Sequence, residues 1–126
     1  MARALSRRVA LLVEDDHAVR DFAATVLEET DLRVVEADSA EEALDYLRTH
    51  ADEVALLFTD VRLPCRKSGV DLARKAHVDW PWIHVIVTSG VVDERVQADL
   101  PRATRFMPKP WPVLEVLKEA ERALQR

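Results

Sequence analysis

The sequence predicts an α/β fold: a doubly wound, five-stranded parallel sheet with five helices. Two observations carry this. Short apolar runs alternate strictly with amphipathic stretches from one end of the chain to the other. The clearest runs, Val9–Val13 and Val54–Thr59, are unbroken rather than alternating, the pattern of strands buried on both faces. Strict alternation implies right-handed crossovers and helices on both sides of the sheet.

Each element has its own signal. After the strand Val9–Val13, Val19, Phe22, Val26 and Leu27 recur at helical spacing and are expected to face inward. Leu32–Glu36 reads as the second strand. Ser39 precedes Glu42 by three residues, a capping-box signature, and opens a helix that buries Ala40, Ala43, Leu44 and Leu47. The third strand, Val54–Thr59, runs into Asp60. Pro64 and Gly69 bracket a loop, and a short helix follows with Val70, Ala73 and Ala76 inward. Ile83–Val87 is the fourth strand, Asp93–Leu100 a weak helix stopped by Pro101, and Ala103–Met107 a short fifth strand. Pro112 suits the first turn of a last helix, expected to turn Val113, Leu114, Leu117, Ala120 and Leu124 inward.

Composition narrows the function. A chain of 126 residues suits one domain, 1–126, with residues 1–7 expected to form a poorly ordered N-terminal extension that carries Arg3 and Arg7. The net charge of -5 argues against direct nucleic-acid binding, which calls for a basic surface. No apolar run approaches the roughly 20 residues of a membrane span, so no membrane partner is expected. The single cysteine, Cys65, makes no disulfide framework, and a cytoplasmic location is the plain reading.

Folds of this type bind ligands where strands end at their carboxyl edge. Glu14, Asp15 and Asp16 follow the first strand, Asp60 the third, Thr88 and Ser89 the fourth, and Lys109 the fifth. Carboxylates about 4 Å apart repel by roughly 4 kcal/mol at an effective dielectric near 20, so such a group needs cations. Lys109 supplies one charge. The remaining side-chain candidates offer only oxygen, which favours Mg2+ over zinc. Magnesium commonly completes its shell with phosphate, and Thr88 and Lys109 are suited to phosphoryl oxygens. Asp60, on the central strand by count, is best placed as nucleophile for an acyl phosphate. Asp16 reads mainly as a helix N-terminal charge.

These motifs together resemble the receiver domain of two-component response regulators. The matching residues are Glu14-Asp15 after an apolar strand, Asp60 in Phe-Thr-Asp-Val-Arg-Leu-Pro, Thr88 in Val-Ile-Val-Thr-Ser-Gly, and Lys109 in Met-Pro-Lys-Pro. The resemblance covers nearly the whole chain and implies a flavodoxin-like strand order 2-1-3-4-5. It implies Asp60 as phosphoacceptor, with Mg2+ held by Asp15, Asp60 and the backbone carbonyl of Arg62, and by Glu14 through water. It implies Thr88 and Phe106 as switch residues, Lys109 beside the phosphoryl group, and a cis Lys109–Pro110 bond. The implied donor is a sensor histidine kinase or histidine phosphotransfer protein, and the domain catalyses only its own phosphorylation and dephosphorylation. His17 lies where such donors dock in the family. The chain departs from the family pattern in places. The loop after Pro64 is longer than the commonest form, with Cys65 where glycine is frequent, and Phe106 stands where tyrosine is common. Arg62 is large and Gly90 small, and these two positions are expected to tune dephosphorylation.

Three rivals compete. A receiver-fold interaction module working without phosphorylation would have lost acids or the lysine, and none is lost. A flavin carrier needs a Ser/Thr/Gly-rich loop after the first strand, where acids stand. An aspartyl phosphatase places its nucleophile after the first strand, not the third. A homodimer through the fourth and fifth helices is a further expectation, motivated by Val91, Val92 and Trp111 as exposed candidates.

Overall fold

The computed structural model describes residues 8–91 and 93–125. The expected extension 1–7, with Arg3 and Arg7, and the dimer candidate Val92 lie outside the described residues. The element order is β1 (Val9–Val13), α1 (His17–Glu28), β2 (Arg33–Ala37), α2 (Ala40–His50), β3 (Val54–Asp60), α3 (Gly69–Asp79), β4 (His84–Ser89), α4 (Glu94–Asp99), β5 (Arg105–Pro108) and α5 (Val113–Leu124), with a 3-10 turn at Ala51–Glu53. All four strand pairings are parallel and the order is β2-β1-β3-β4-β5, as expected. β1 has the expected limits, and those of the other strands differ from the expected ones by one or two residues. Apolar letters mark where the core lies, whereas a strand stops where its ladder hydrogen bonds stop.

Alternation along the buried strands sorts side chains into two cores. Val9, Leu11, Val13, Leu57, Val85 and Val87 meet α2 and α3 on one face. Ala10, Leu12, Leu56, Phe58, Ile86 and Met107 meet α1 and α5 on the other. Each fully buried Leu, Ile or Phe contributes about 1.5–3 kcal/mol relative to exposure. β1 throughout, and β3 from Val54 to Phe58, are apolar on both faces because both cores need them.

The helices correct several expectations. Ser39 caps α2 by accepting from the Glu42 N–H, but the Glu42 carboxylate accepts from the Asp38 N–H and not from Ser39, so the box is not reciprocal. The reciprocal box opens α3, between Ser68 and Asp71. Phe22 is half-exposed rather than inward. On α5, Val113 and Leu114 are exposed, at 43% and 70%, and the buried stripe is Val116, Glu119, Ala120 and Ala123. Pro112 stands one position earlier than expected, as the N-cap residue. The stripe was disguised because one of its members is an acid. Glu119 is buried against His84 at 2.7 Å, Arg105 at 3.6 Å and Arg122. A carboxylate is tolerated there because cations and hydrogen bonds meet it on several sides.

Cys65 has a φ of 73°, the only non-glycine residue with positive φ among those described. A side chain in this region costs about 1–2 kcal/mol, while glycine loses roughly 0.5–1 kcal/mol more entropy on folding. Cys65→Gly is therefore expected to raise unfolding free energy by about 0.5 kcal/mol. Denaturant melts of the two proteins check this, and a less stable variant would show that the loop gains more from the thiol than from a relaxed backbone.

Candidate functional site: an acid–lysine pocket at the strand ends

Four strand ends build one pocket. β1 ends at Val13, and the Glu14 N–H donates to Ala37 O at 3.1 Å, holding the chain to the end of β2. Asp16 caps α1, its carboxylate accepting from the Val19 N–H at 3.0 Å, which bears out its reading as a helix-terminal charge. Asp60 is the last residue of β3 and pairs in register with Thr88 of β4. The Lys109 N–H donates to Ser89 O at 2.8 Å, setting the lysine just past β5. The Lys109–Pro110 bond is cis, as expected.

The side chains converge. Lys109 Nζ donates to Glu14 Oε1 at 2.9 Å and to Asp60 Oδ2 at 3.1 Å. Carboxylate oxygens of Glu14, Asp15 and Asp60 all lie within 4.8 Å of one another. Glu14 is buried, and its second oxygen accepts from the Asp16 N–H at 3.3 Å. Asp15 is exposed at the mouth. These three acids, Asp16 and Lys109 line an open cavity of about 420 Å3, together with Arg62 and Leu63. A second, apolar hollow of about 520 Å3 adjoins it, walled by Val19, Phe22, Pro110 and Trp111 and sharing Lys109. Trp111 is half-buried there, edge-on to Phe58 at 5.1 Å and stacked with Phe22 at 6.0 Å. It is thus a packing residue more than the exposed dimer candidate expected from the sequence. Val91 is exposed as expected.

Thr88 is buried, and its Oγ1 finds no hydrogen-bond partner among the described residues. A buried hydroxyl without a partner costs about 1–3 kcal/mol, so it marks a place where an acceptor is due. Phe106 is partly buried against the core shared with α2 and α3. His17 opens α1 on the surface, and Cys65 is exposed and free.

The electrostatics show what the pocket lacks. Burial, helped by the Asp60 charge, raises Glu14 above its ordinary 4.5, against the lowering pull of Lys109 and the Asp16 N–H. Burial acts to lower Lys109, but its hydrogen bonds with Glu14 and Asp60 outweigh that and raise it above 10.5. An ion pair alone would lower its acid. Glu14 nevertheless rises, because burial and the neighbouring Asp60 charge outweigh the pull of Lys109. The donor set is all oxygen, clustered and short of positive charge, which fits a hard divalent cation such as Mg2+.

A pH dependence follows, with an unusual sign. A carboxyl raised on folding leaves the native state holding more protons than the unfolded one, so its contribution to stability falls as pH rises from 4.5 upward. Glu14→Gln mimics the protonated form. Its stability relative to wild type, without metal, is expected to be more favourable at pH 7.5 than at about pH 4.5. Urea melts in chelator at both pH values check this, and an equal difference would show Glu14 to be fully compensated.

Arg20 was missed from the sequence. Its guanidinium donates to Glu14 O at 3.1 Å and faces Glu36 Oε1 at 3.0 Å, directly behind the acid loop. The only sequence signal was a basic residue in the second turn of α1, which usually means a solvated face.

Fold and pocket together define a doubly wound α/β protein whose strand ends gather acids and a lysine around a cavity that fits a divalent cation. Residues 10–121 match the response regulator receiver domain. The chain belongs to that family. It is 30% identical over 116 residues to the response regulator receiver protein CpdR of Brucella abortus (strain 2308), covering 90% of this chain and 94% of that one. It is also 30% identical over 118 residues to the sensor kinase CckA of the same organism, covering 92% of this chain but 12% of the kinase. Among solved structures, a signal receiver domain of an HD domain-containing protein from Pseudomonas fluorescens Pf-5 superposes with a TM-score of 0.85 at 25% identity, covering 94% and 95% of the two chains. A receiver protein from Pseudomonas putida gives 0.79 at 29%, covering 92% and 97%. Among the described residues, no helix is long and apolar enough to cross a membrane.

Proposed function

We propose that this domain accepts a phosphoryl group from a phosphohistidine onto Asp60, with Mg2+ held by Glu14, Asp15, Asp60 and the backbone carbonyl of Arg62, and that it switches conformation in response. The observation that carries this is the junction of Asp60, Lys109 and an unpartnered Thr88 hydroxyl at neighbouring strand ends. Bound Mg2+ would supply the positive charge that the transferred oxygens need. An Asp60 oxygen attacks phosphorus, the P–O bond forms as the P–N bond breaks, and the imidazole leaves with the bonding pair. Lys109 neutralises the oxygens that gain charge, in a site where its position is already fixed. Thr88 then donates to a phosphoryl oxygen, which satisfies its hydroxyl, and Phe106 moves inward into the space that Thr88 vacates. The donor is a sensor histidine kinase or a histidine phosphotransfer protein. The reading takes 1–126 as one receiver domain, and it applies equally to a protein of CpdR's size or to a segment of a longer one.

The test is incubation of the chain with acetyl phosphate and Mg2+, followed by intact mass. The expected result is a gain of one phosphoryl group per chain, absent in chelator. A wild type that gains nothing, from acetyl phosphate or from a phosphorylated kinase, would leave a receiver-fold interaction module as the function.

A further inference from the structure

Glu14 and Asp15 sit on consecutive residues just beyond β1, where the sheet no longer holds the chain. The last ladder-like bond is Glu14 N–H to Ala37 O. Beyond it, the Glu14 carbonyl accepts from Arg20 Nη1 at 3.1 Å. The same guanidinium donates from Nη2 to His17 Nδ1 at 2.9 Å, and its Nε meets Glu36 Oε1 at 3.0 Å as an ion pair rather than an aligned hydrogen bond. The Arg20 backbone N–H donates to Asp16 O at 2.9 Å. Its side chain is only 14% exposed, and it is not among the residues that line the acid cavity. One planar fork therefore joins the exit of β1, the end of β2 and the start of α1, as a guanidinium can and an ammonium cannot.

We propose that Arg20 is a positioning residue for the metal and phosphoryl site: by clamping the Glu14 carbonyl, it fixes the backbone that aims the Glu14 and Asp15 carboxylates into the pocket. This deepens the receiver reading and rests on it. Two roles for Arg20 predict opposite signs. As a charge alone, a guanidinium behind the acids opposes entry of a second cation, so its removal would leave Mg2+ binding unchanged or tighter. As a clamp, its removal lets the acid loop drift and weakens binding. Groups that orient metal ligands typically account for about 10–100-fold in affinity.

The measurement uses the whole chain and MgCl2. Mg2+ affinity is read from the concentration at which the metal begins to raise the melting temperature. The expected result is binding weaker by about tenfold in Arg20→Ala, and weaker in Arg20→Lys as well, because lysine keeps the charge but not the fork. Arg20→Lys decides the matter if Arg20→Ala does not fold. Mg2+ binding as tight as wild type, or tighter, in the folded variants would overturn the clamp and leave the receiver reading intact. A wild type that Mg2+ does not stabilise would instead overturn the metal-dependent reading, and the proposal with it.

Discussion

Replacing Asp60 with asparagine is expected to abolish phosphoryl uptake while leaving the metal-free fold slightly more stable than wild type. The amide keeps the shape of the side chain but is no nucleophile, so the mass gain with acetyl phosphate should vanish. The stability gain comes from the crowding of charge. Asp60 shares a space with Glu14 and Asp15 in which all three carboxylates lie within 4.8 Å of one another. Removing one charge relieves up to roughly 4 kcal/mol of repulsion per pair at an effective dielectric near 20, but Lys109 loses an ionic partner in the same step. A net gain of about 1 kcal/mol is expected in chelator. Mg2+ should reverse the order, since the metal stabilises the wild type and binds the variant more weakly. Intact mass and denaturant melts with and without Mg2+ check the three parts. Persistent phosphoryl uptake by Asp60→Asn would move the acceptor to another residue.

Gly69→Ala is expected to be the most destabilising single methyl in the chain. Gly69 begins α3, and its N–H donates to Val61 O at 2.8 Å. An added Cβ would stand 1.9 Å from the Asp60 carbonyl oxygen, 2.7 Å from its carbon and 3.0 Å from Val61 Cα. All three are backbone atoms at the strand end that carries Asp60, so no rotamer change can make room. Overpacking of this kind costs about 3 kcal/mol, and more when backbone must move. The displacement would fall on Asp60 itself, so any folded variant should also accept phosphoryl slowly. Gly90→Ala is the natural control, because nothing lies within 4 Å of a Cβ there. Similar denaturant midpoints for the two variants would mean that α3 can slide away at little cost.

Most of the architecture was legible because parallel strands buried on both faces write themselves as unbroken apolar runs. β1 and β3 stand out in this way, and the partners at the strand ends then fall into place by order alone. The candidate pocket was legible for a related reason: Glu14, Asp15, Asp60 and Lys109 each stand at or just past a strand end, and the fold collects strand ends. What escaped was pairwise. The inward face of α5 carries Glu119, whose burial makes sense only beside His84, Arg105 and Arg122, and the first two of these come from other elements. Arg20 escaped likewise, since a carbonyl partner leaves no mark in composition. Gly69 was read as a loop residue because its need is for clearance from Asp60 O, a contact set by tertiary structure and not by its own dihedral angles.

The two outer strands carry a consequence for life at high concentration. β2 and β5 each leave one ladder of N–H and C=O groups unclaimed by the sheet. Such borders invite a second chain to add itself as a strand, the first step toward aggregation. On β2 the exposed positions are Arg33 and Glu36, and on β5 they are Arg105 and Pro108. Three are charged, and the fourth has no N–H to offer an incoming strand. The charges at these borders also serve inside the molecule, Glu36 with Arg20 and Arg105 with Glu115 and Glu119. A change to Val at Arg33, whose side chain is half-exposed and meets Glu53 at 3.9 Å and the Tyr46 hydroxyl, should thus reduce solubility more than it reduces stability.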